Sequence, residues 1–128
     1  MKPQKLSDIY RGYIDCLNRQ DWERLGLYVD ETVNYNGTMI GLSGYRAMLE
    51  NDFRAIPDLY FNIDFLVSDP PRIASRLQFD CTPIGILFDL PVNGKRVCFS
   101  ENVFYEFANR RIVKVWSVID KAAIVEQI

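Results

Sequence analysis

Apolar residues at Leu6, Ile9, Tyr10, Tyr13, Ile14 and Leu17 recur at the spacing of one helix face. The pattern predicts an amphipathic helix there, with Pro3 in its first turn. Asp21 is placed to cap a second, shorter helix through Trp22, Leu25 and Tyr28. No low-complexity linker separates the two, so a helical hairpin is expected. Thr32-Val33-Asn34-Tyr35 reads as a short strand ending on Asn36-Gly37, a strong turn signal, and Thr38-Met39-Ile40 as its return. Ser43 opens a third helix with Tyr45, Met48, Leu49, Phe53 and Ile56 on one face. Pro57 ends it, because the residue before a proline avoids helical geometry.

From Leu59 onward the pattern becomes alternating. Tyr60 to Val67 alternates loosely, and Ser68-Asp69-Pro70-Pro71 is a turn. Arg72 to Thr82 is a strand with Ile73, Ser75, Leu77, Phe79 and Cys81 on one parity. Pro83 to Gly94, which contains Gly85, Pro91 and Asn93-Gly94, is a loop or ragged edge. Arg96 to Phe107 is a long strand, followed across Ala108-Asn109-Arg110 by its hairpin partner, Arg111 to Asp120. On that last strand Ile112, Lys114, Trp116, Val118 and Asp120 share a face unless a bulge intervenes. Both faces are mostly apolar, so the strand is central and at least partly covered on each side. Ala122 to Gln127 adds a short terminal helix.

Helices first and strands afterwards is the α+β pattern. At 128 residues the chain is one domain, residues 1–128. A long meander of strands twists, so a curved mixed or antiparallel sheet wraps around the three helices as a cone enclosing a pocket.

Composition narrows the chemistry. The net charge is −2 with no run of Lys or Arg, so neither nucleic acid nor an anionic membrane is an expected partner. The start has no apolar signal core and no stretch could span a bilayer, which makes a cytoplasmic location the default. The three cysteines, Cys16, Cys81 and Cys98, lack metal-ligand spacing and read as reduced and mostly buried. The sequence has no histidine. Ser-His-Asp catalysis and His-ligated zinc are therefore excluded, and a Cys nucleophile lacks its usual base. No phosphate-binding glycine loop appears, and no metal or cofactor is expected. Acid–base chemistry falls to Asp, Glu, Tyr, Lys or Cys.

Several motifs occur in a telling order. They are Gly41-Leu42-Ser43-Gly44-Tyr45-Arg46 and Phe53-Arg54-Ala55-Ile56-Pro57-Asp58-Leu59, then Asn93-Gly94-Lys95, then Arg111-Ile112-Val113-Lys114-Val115-Trp116 with Asp120 and Gln127. Over nearly the whole chain this resembles the SnoaL-like polyketide cyclases (ester cyclases) of the NTF2-like superfamily. The resemblance implies an NTF2-like α+β cone, no cofactor, and a small apolar ligand in an internal pocket. The aspartate near the closing tryptophan, general acid/base in those cyclases, matches Asp120. The family commonly has Gly-Thr-His-x-Gly where this chain has Cys81-Thr82-Pro83-Ile84-Gly85. Its pocket histidine is replaced by Pro83.

Asp120 closes an apolar row, where a carboxylate is costly unless hydrogen-bonded, wet or used. Two readings stand. It is a general base toward a carbon acid, its pKa raised by an apolar wall, or it caps a helix beginning at Lys121. An enolate also needs donors for its oxyanion. Tyr13, Asn36, and Asn51 or Asp52 are candidates. Phase favours Asp52, four residues after Met48 and seven after Tyr45. Tyr13 reads equally as core and Asn36 as a turn former. Trp116 is a candidate pocket wall, and Asn102 a candidate cavity-facing residue on the preceding strand. The leading expectation is a cofactor-independent enzyme of cyclase or isomerase type that abstracts a proton next to a carbonyl of a small apolar compound. Its rival is a non-catalytic ligand-binding or protein-interaction module on the same cone. An epoxide-hydrolase type of activity would want an Arg beside two carboxylates in the pocket. Open sheet faces of such cones pair, so a homodimer is expected.

Overall fold

Helix α1 (Leu6–Asn18) buries the stripe its spacing predicts, with Ile9, Tyr10, Tyr13, Ile14 and Leu17 all enclosed. The computed structural model describes residues 5–128; the place expected for Pro3 lies outside them. The second helix is a 3-10 segment, Trp22–Leu27. Asp21 precedes it but caps none of its N–H groups, pairing instead with Arg24 at 3.5 Å. Strands β1 (Val29–Tyr35) and β2 (Thr38–Met39) flank Asn36-Gly37, both left-handed at φ 49° and 86°. Helix α2 (Gly41–Ala55) begins two residues before Ser43, because Gly41 takes φ 71° where a side chain would be strained. It ends before Pro57, with Ile56 as its C-cap.

The second half supplies β3 (Asn62–Asp69), β4 (Arg72–Cys81), a small hairpin β5 (Ile86–Leu87) and β6 (Leu90–Pro91), then β7 (Val97–Ala108) and β8 (Arg111–Ile119). Six of these strands form one curved sheet in the order β2-β1-β8-β7-β4-β3. Its pairs are antiparallel except β1 with β8, which run parallel. The inner rows of β4 (Ile73, Leu77, Phe79, Cys81) and β7 (Val97, Phe99, Val103, Tyr105, Phe107) are buried within one core with α1 and α2. Two polar ties fix the seam. The Tyr10 hydroxyl donates to Ser75 Oγ at 2.8 Å, and the Asn18 amide bridges the Phe61 backbone at 3.0 and 2.7 Å.

One irregularity decides which way the last strand faces. Phe107 pairs with Ile112 while Glu106 pairs with Lys114, so Val113 is an extra residue on β8. Beyond that bulge the parity inverts. Ile112 is buried before it and Val115 after it, with half-buried Ser117 and Ile119 continuing the inner row. Trp116 and Val118 face outward.

The loop expected over Pro83–Gly94 carries the β5–β6 hairpin, whose two turn residues, Phe88 and Asp89, are left-handed at φ 50° and 62°. Helix α3 (Lys121–Gln127) packs on β7, where the Gln127 amide bonds the N–H and C=O of Cys98 at 2.8 and 2.6 Å. Cys16 and Cys81 are buried, Cys98 is exposed, and all three are free. Among the described residues no helix is long and apolar enough to cross a membrane.

Candidate active site

Between α1, α2 and the inner faces of β4, β7 and β8 lies a cavity of about 180 Å3. Eight aromatic rings line it: Tyr13, Tyr35, Tyr45, Phe61, Phe79, Phe88, Phe99 and Tyr105. Its lining includes two carboxylates, Asp52 and Glu101, and, among the described residues, neither a lysine nor an arginine. The two acids come from elements far apart in sequence. Asp52 sits on α2 two turns after Tyr45, on the face that also carries Met48 and Leu49. Glu101 occupies the inner parity of β7 between Phe99 and Val103.

Burial raises both acids above their ordinary range. The Asp52 carboxyl is pushed up to about 7 by desolvation, with the Glu101 charge adding to the rise. Glu101 is raised by desolvation, against a hydrogen bond from the Ser117 hydroxyl that favours its charged form. Glu101 is half-buried and lines the cavity. Two carboxylates in one apolar chamber resist joint ionisation. The raised values favour the protonated forms, so an acid and a conjugate base can coexist in the chamber.

Tyrosines share this lining: Tyr13, Tyr35, Tyr45 and Tyr105. Tyr13 and Tyr45 hydrogen-bond each other at 2.6 Å, bridging α1 and α2. The Tyr10 hydroxyl, which donates to Ser75, lies 3.4 Å from that of Tyr105. Burial raises the phenols of Tyr13, Tyr45 and Tyr105, and that of Tyr10 to about 12, so all four are neutral proton carriers at physiological pH.

Of the residues singled out in the sequence, Tyr13 and Asp52 line the cavity and the others do not. Asp120 is exposed, and its carboxylate accepts from the Ala123 N–H at 3.1 Å as the N-cap of α3. The cap reading, not the cavity reading, is the one the geometry realises. Trp116 is corrected by the Val113 bulge, which turns it to the outer sheet face beside Asn34, Gly37 and Lys114. Asn102 shares that face and accepts from Arg76 at 3.2 Å, because its neighbour Glu101 takes the inward parity. Asn36 is exposed and staples β1 to β8, its Oδ1 accepting from the Ser117 N–H at 2.8 Å. Glu101 escaped sequence reasoning. Its signal was present: a carboxylate in the row Val97, Phe99, Val103, Tyr105 and Phe107 is as anomalous as Asp120 looked.

Removing the Asp120 cap is expected to destabilise the chain by about 1 kcal/mol while leaving the two cavity carboxylates in place. Chemical denaturation of Asp120→Ala checks this, with Asp120→Asn, which retains a capping oxygen, near wild type.

A sheet wrapped around helices, with titratable groups lining an apolar interior chamber, is the architecture of the α+β cone class. The comparisons specify that class. The family model for SnoaL-like polyketide cyclases matches residues 7–128, and the chain belongs to that family. It is similar to a SnoaL-like polyketide cyclase of Agrobacterium tumefaciens, with 56% identity, 98% of each chain covered and a TM-score of 0.96. IdmH of Streptomyces antibioticus shares the fold at 18% identity and TM-score 0.84, over 97% of this chain and 98% of its own. TsrD of Streptomyces laurentii does so at 16% identity and TM-score 0.84, over 98% and 97%. No curated protein sequence gives a match.

Proposed function

We propose that the cavity is the active site of a cofactor-independent enzyme of cyclase or isomerase type. In this reading it moves a proton at a carbon next to a carbonyl group, on a small and mostly apolar substrate. The observation that carries it is the pair Asp52 and Glu101 in one ring-lined chamber with no lysine or arginine in the lining. One member, ionised, takes the carbon-bound proton; the other, protonated, returns a proton after ring closure or bond migration. Asp120, on the surface, has no part in this. Among the described residues the chamber lining carries no positive charge, which suits an uncharged substrate. It also lacks the arginine that an epoxide-opening site would want beside its carboxylates. The test is exchange of α-protons for deuterium in uncharged cyclic ketones, followed by NMR. If wild type and Asp52→Asn/Glu101→Gln exchange at the same rate, the cavity is a binding site only, as in the non-catalytic reading.

The outer sheet face supports a homodimer. Register aligns Val67, Ala74, Phe104 and Trp116 across four strands, with Phe65 and Val118 in the next row. Phe104, Val67 and Val118 are 58%, 59% and 68% exposed, an apolar surface suited to covering by a second copy. Phe104→Lys is expected to give monomers in analytical ultracentrifugation. A monomeric wild type at micromolar concentration would rule the dimer out.

A further inference from the structure

Tyr13 and Tyr45 are bonded to each other at 2.6 Å, each buried and each lining the cavity. Two hydroxyls carry two protons, and the bond between them uses one. Among the described residues neither oxygen has another protein partner, so one O–H is left over, in a chamber that it shares with the two carboxylates. A hydroxyl that accepts a hydrogen bond is polarised into a stronger donor. The chamber therefore offers one reinforced donor from this pair. Tyr45 stands two turns before Asp52 on the same face of α2, about 10 Å along the helix axis. A carbonyl oxygen and its α-carbon lie close together, so the acid that serves a carbonyl held at the tyrosines is the one whose carboxylate reaches toward them within the chamber all four residues line.

Accordingly, we infer that Tyr13 and Tyr45 act as one unit that delivers a single O–H to the substrate carbonyl oxygen. The inference rests on the reading of the chamber as a carbonyl site. As the carbon–hydrogen bond breaks, the proton passes to a carboxylate and the electron pair moves through the carbon–carbon bond onto the oxygen. The tyrosine O–H holds that oxygen as its charge develops and keeps its own proton, since burial leaves both phenols hard to ionise. When the proton returns to carbon, the charge collapses. Tyr45 thereby joins Tyr13 as a substrate-contacting residue. Two neighbouring hydroxyls are the rivals: Tyr105, beside Tyr10, and Tyr35, whose ring meets Tyr45 edge-on at 6.3 Å.

The probe is β-tetralone labelled at its carbonyl carbon, an uncharged bicyclic ketone with comparatively acidic α-protons. Its carbonyl resonance reports the donor and its deuterium exchange reports the base. Bound to wild type, the resonance is expected to move downfield. Tyr13→Phe/Tyr45→Phe abolishes that displacement and slows exchange about 100-fold or more. The single Phe variants keep one hydroxyl in the pair and are each expected to lose less than the double. Glu101→Gln keeps the displacement and loses exchange. The ring frames survive in every Phe variant, and thermal unfolding confirms the fold. A displacement unchanged in the double variant, or lost instead in Tyr105→Phe or Tyr35→Phe, overturns the assignment. If the displacement behaves as expected but wild type shows no exchange, the acid–base reading fails and the donor stands. Absence of saturable binding overturns both.

Discussion

Glu101→Gln is expected to lower α-proton exchange by about 100- to 10,000-fold, the range over which a positioned general base usually acts. The substitution keeps shape and hydrogen-bonding capacity, so the Ser117 contact and the β7 ladder persist. What disappears is the negative charge. Asp52 then loses the neighbour that adds to its rise, and its pKa falls toward the value set by burial alone. Asp52→Asn is expected to be milder if Glu101 is the base and the more severe if Asp52 is. Rate against pH separates the two cases. Wild type should show rising and falling limbs, because one carboxyl must be ionised and the other protonated. Each single variant retains one limb. A variant pair that leaves the profile unchanged would place the chemistry elsewhere.

The same pair should make the folded chain less stable as the pH rises. Both carboxyls have raised values in the fold, Asp52 from 3.8 to about 7. The native state therefore binds more protons than the unfolded chain between these values, and stability falls as pH increases through the window. Their neutral forms are favoured in the fold below about pH 4, and the cost of ionising them is complete above the folded values. With allowance for the partial exposure of Asp52, the penalty at pH 8 is on the order of 2 kcal/mol. Asp52→Asn/Glu101→Gln should then melt about 5 °C or more above wild type at pH 8 and lose most of that advantage at pH 5. Thermal unfolding at the two pH values decides it. A variant destabilised equally at both would show the carboxylates to be structural.

These two residues also show where sequence was informative and where it stopped. Helix α1 was readable because Ile9, Tyr13 and Leu17 repeat without interruption, and β4 because five inward residues alternate without a bulge. The cone and its family followed from motifs spread along the chain. The site was only half legible. Asp52 emerged from helical phase, which tolerates an error of one residue at a boundary. Strand parity does not tolerate one. A single extra residue at Val113 turned Trp116 outward, and nothing in its composition marks it as a bulge. Glu101 follows from the parity of Phe99 and Val103, but it sits within the polar run Ser100-Glu101-Asn102, which blurs the alternation in mid-strand.

Asp120 does reach the cavity, though by way of mechanics. It caps α3, whose first residue, Lys121, holds its ammonium 5.5 Å from the centre of the Phe88 ring. Phe88 stands in the left-handed turn of the β5–β6 hairpin, edge-on to Phe99, and forms part of the cavity wall. On the proposed function, loosening the cap is expected to free the ammonium and then the ring, and the first quantity to change is how long a bound molecule stays. Turnover limited by product departure would accelerate, and turnover limited by capture would slow, with no bond-making step altered. In a mutagenesis survey such a residue would score like one that handles protons. Residence times, measured beside rates, tell a hinge pin from a base.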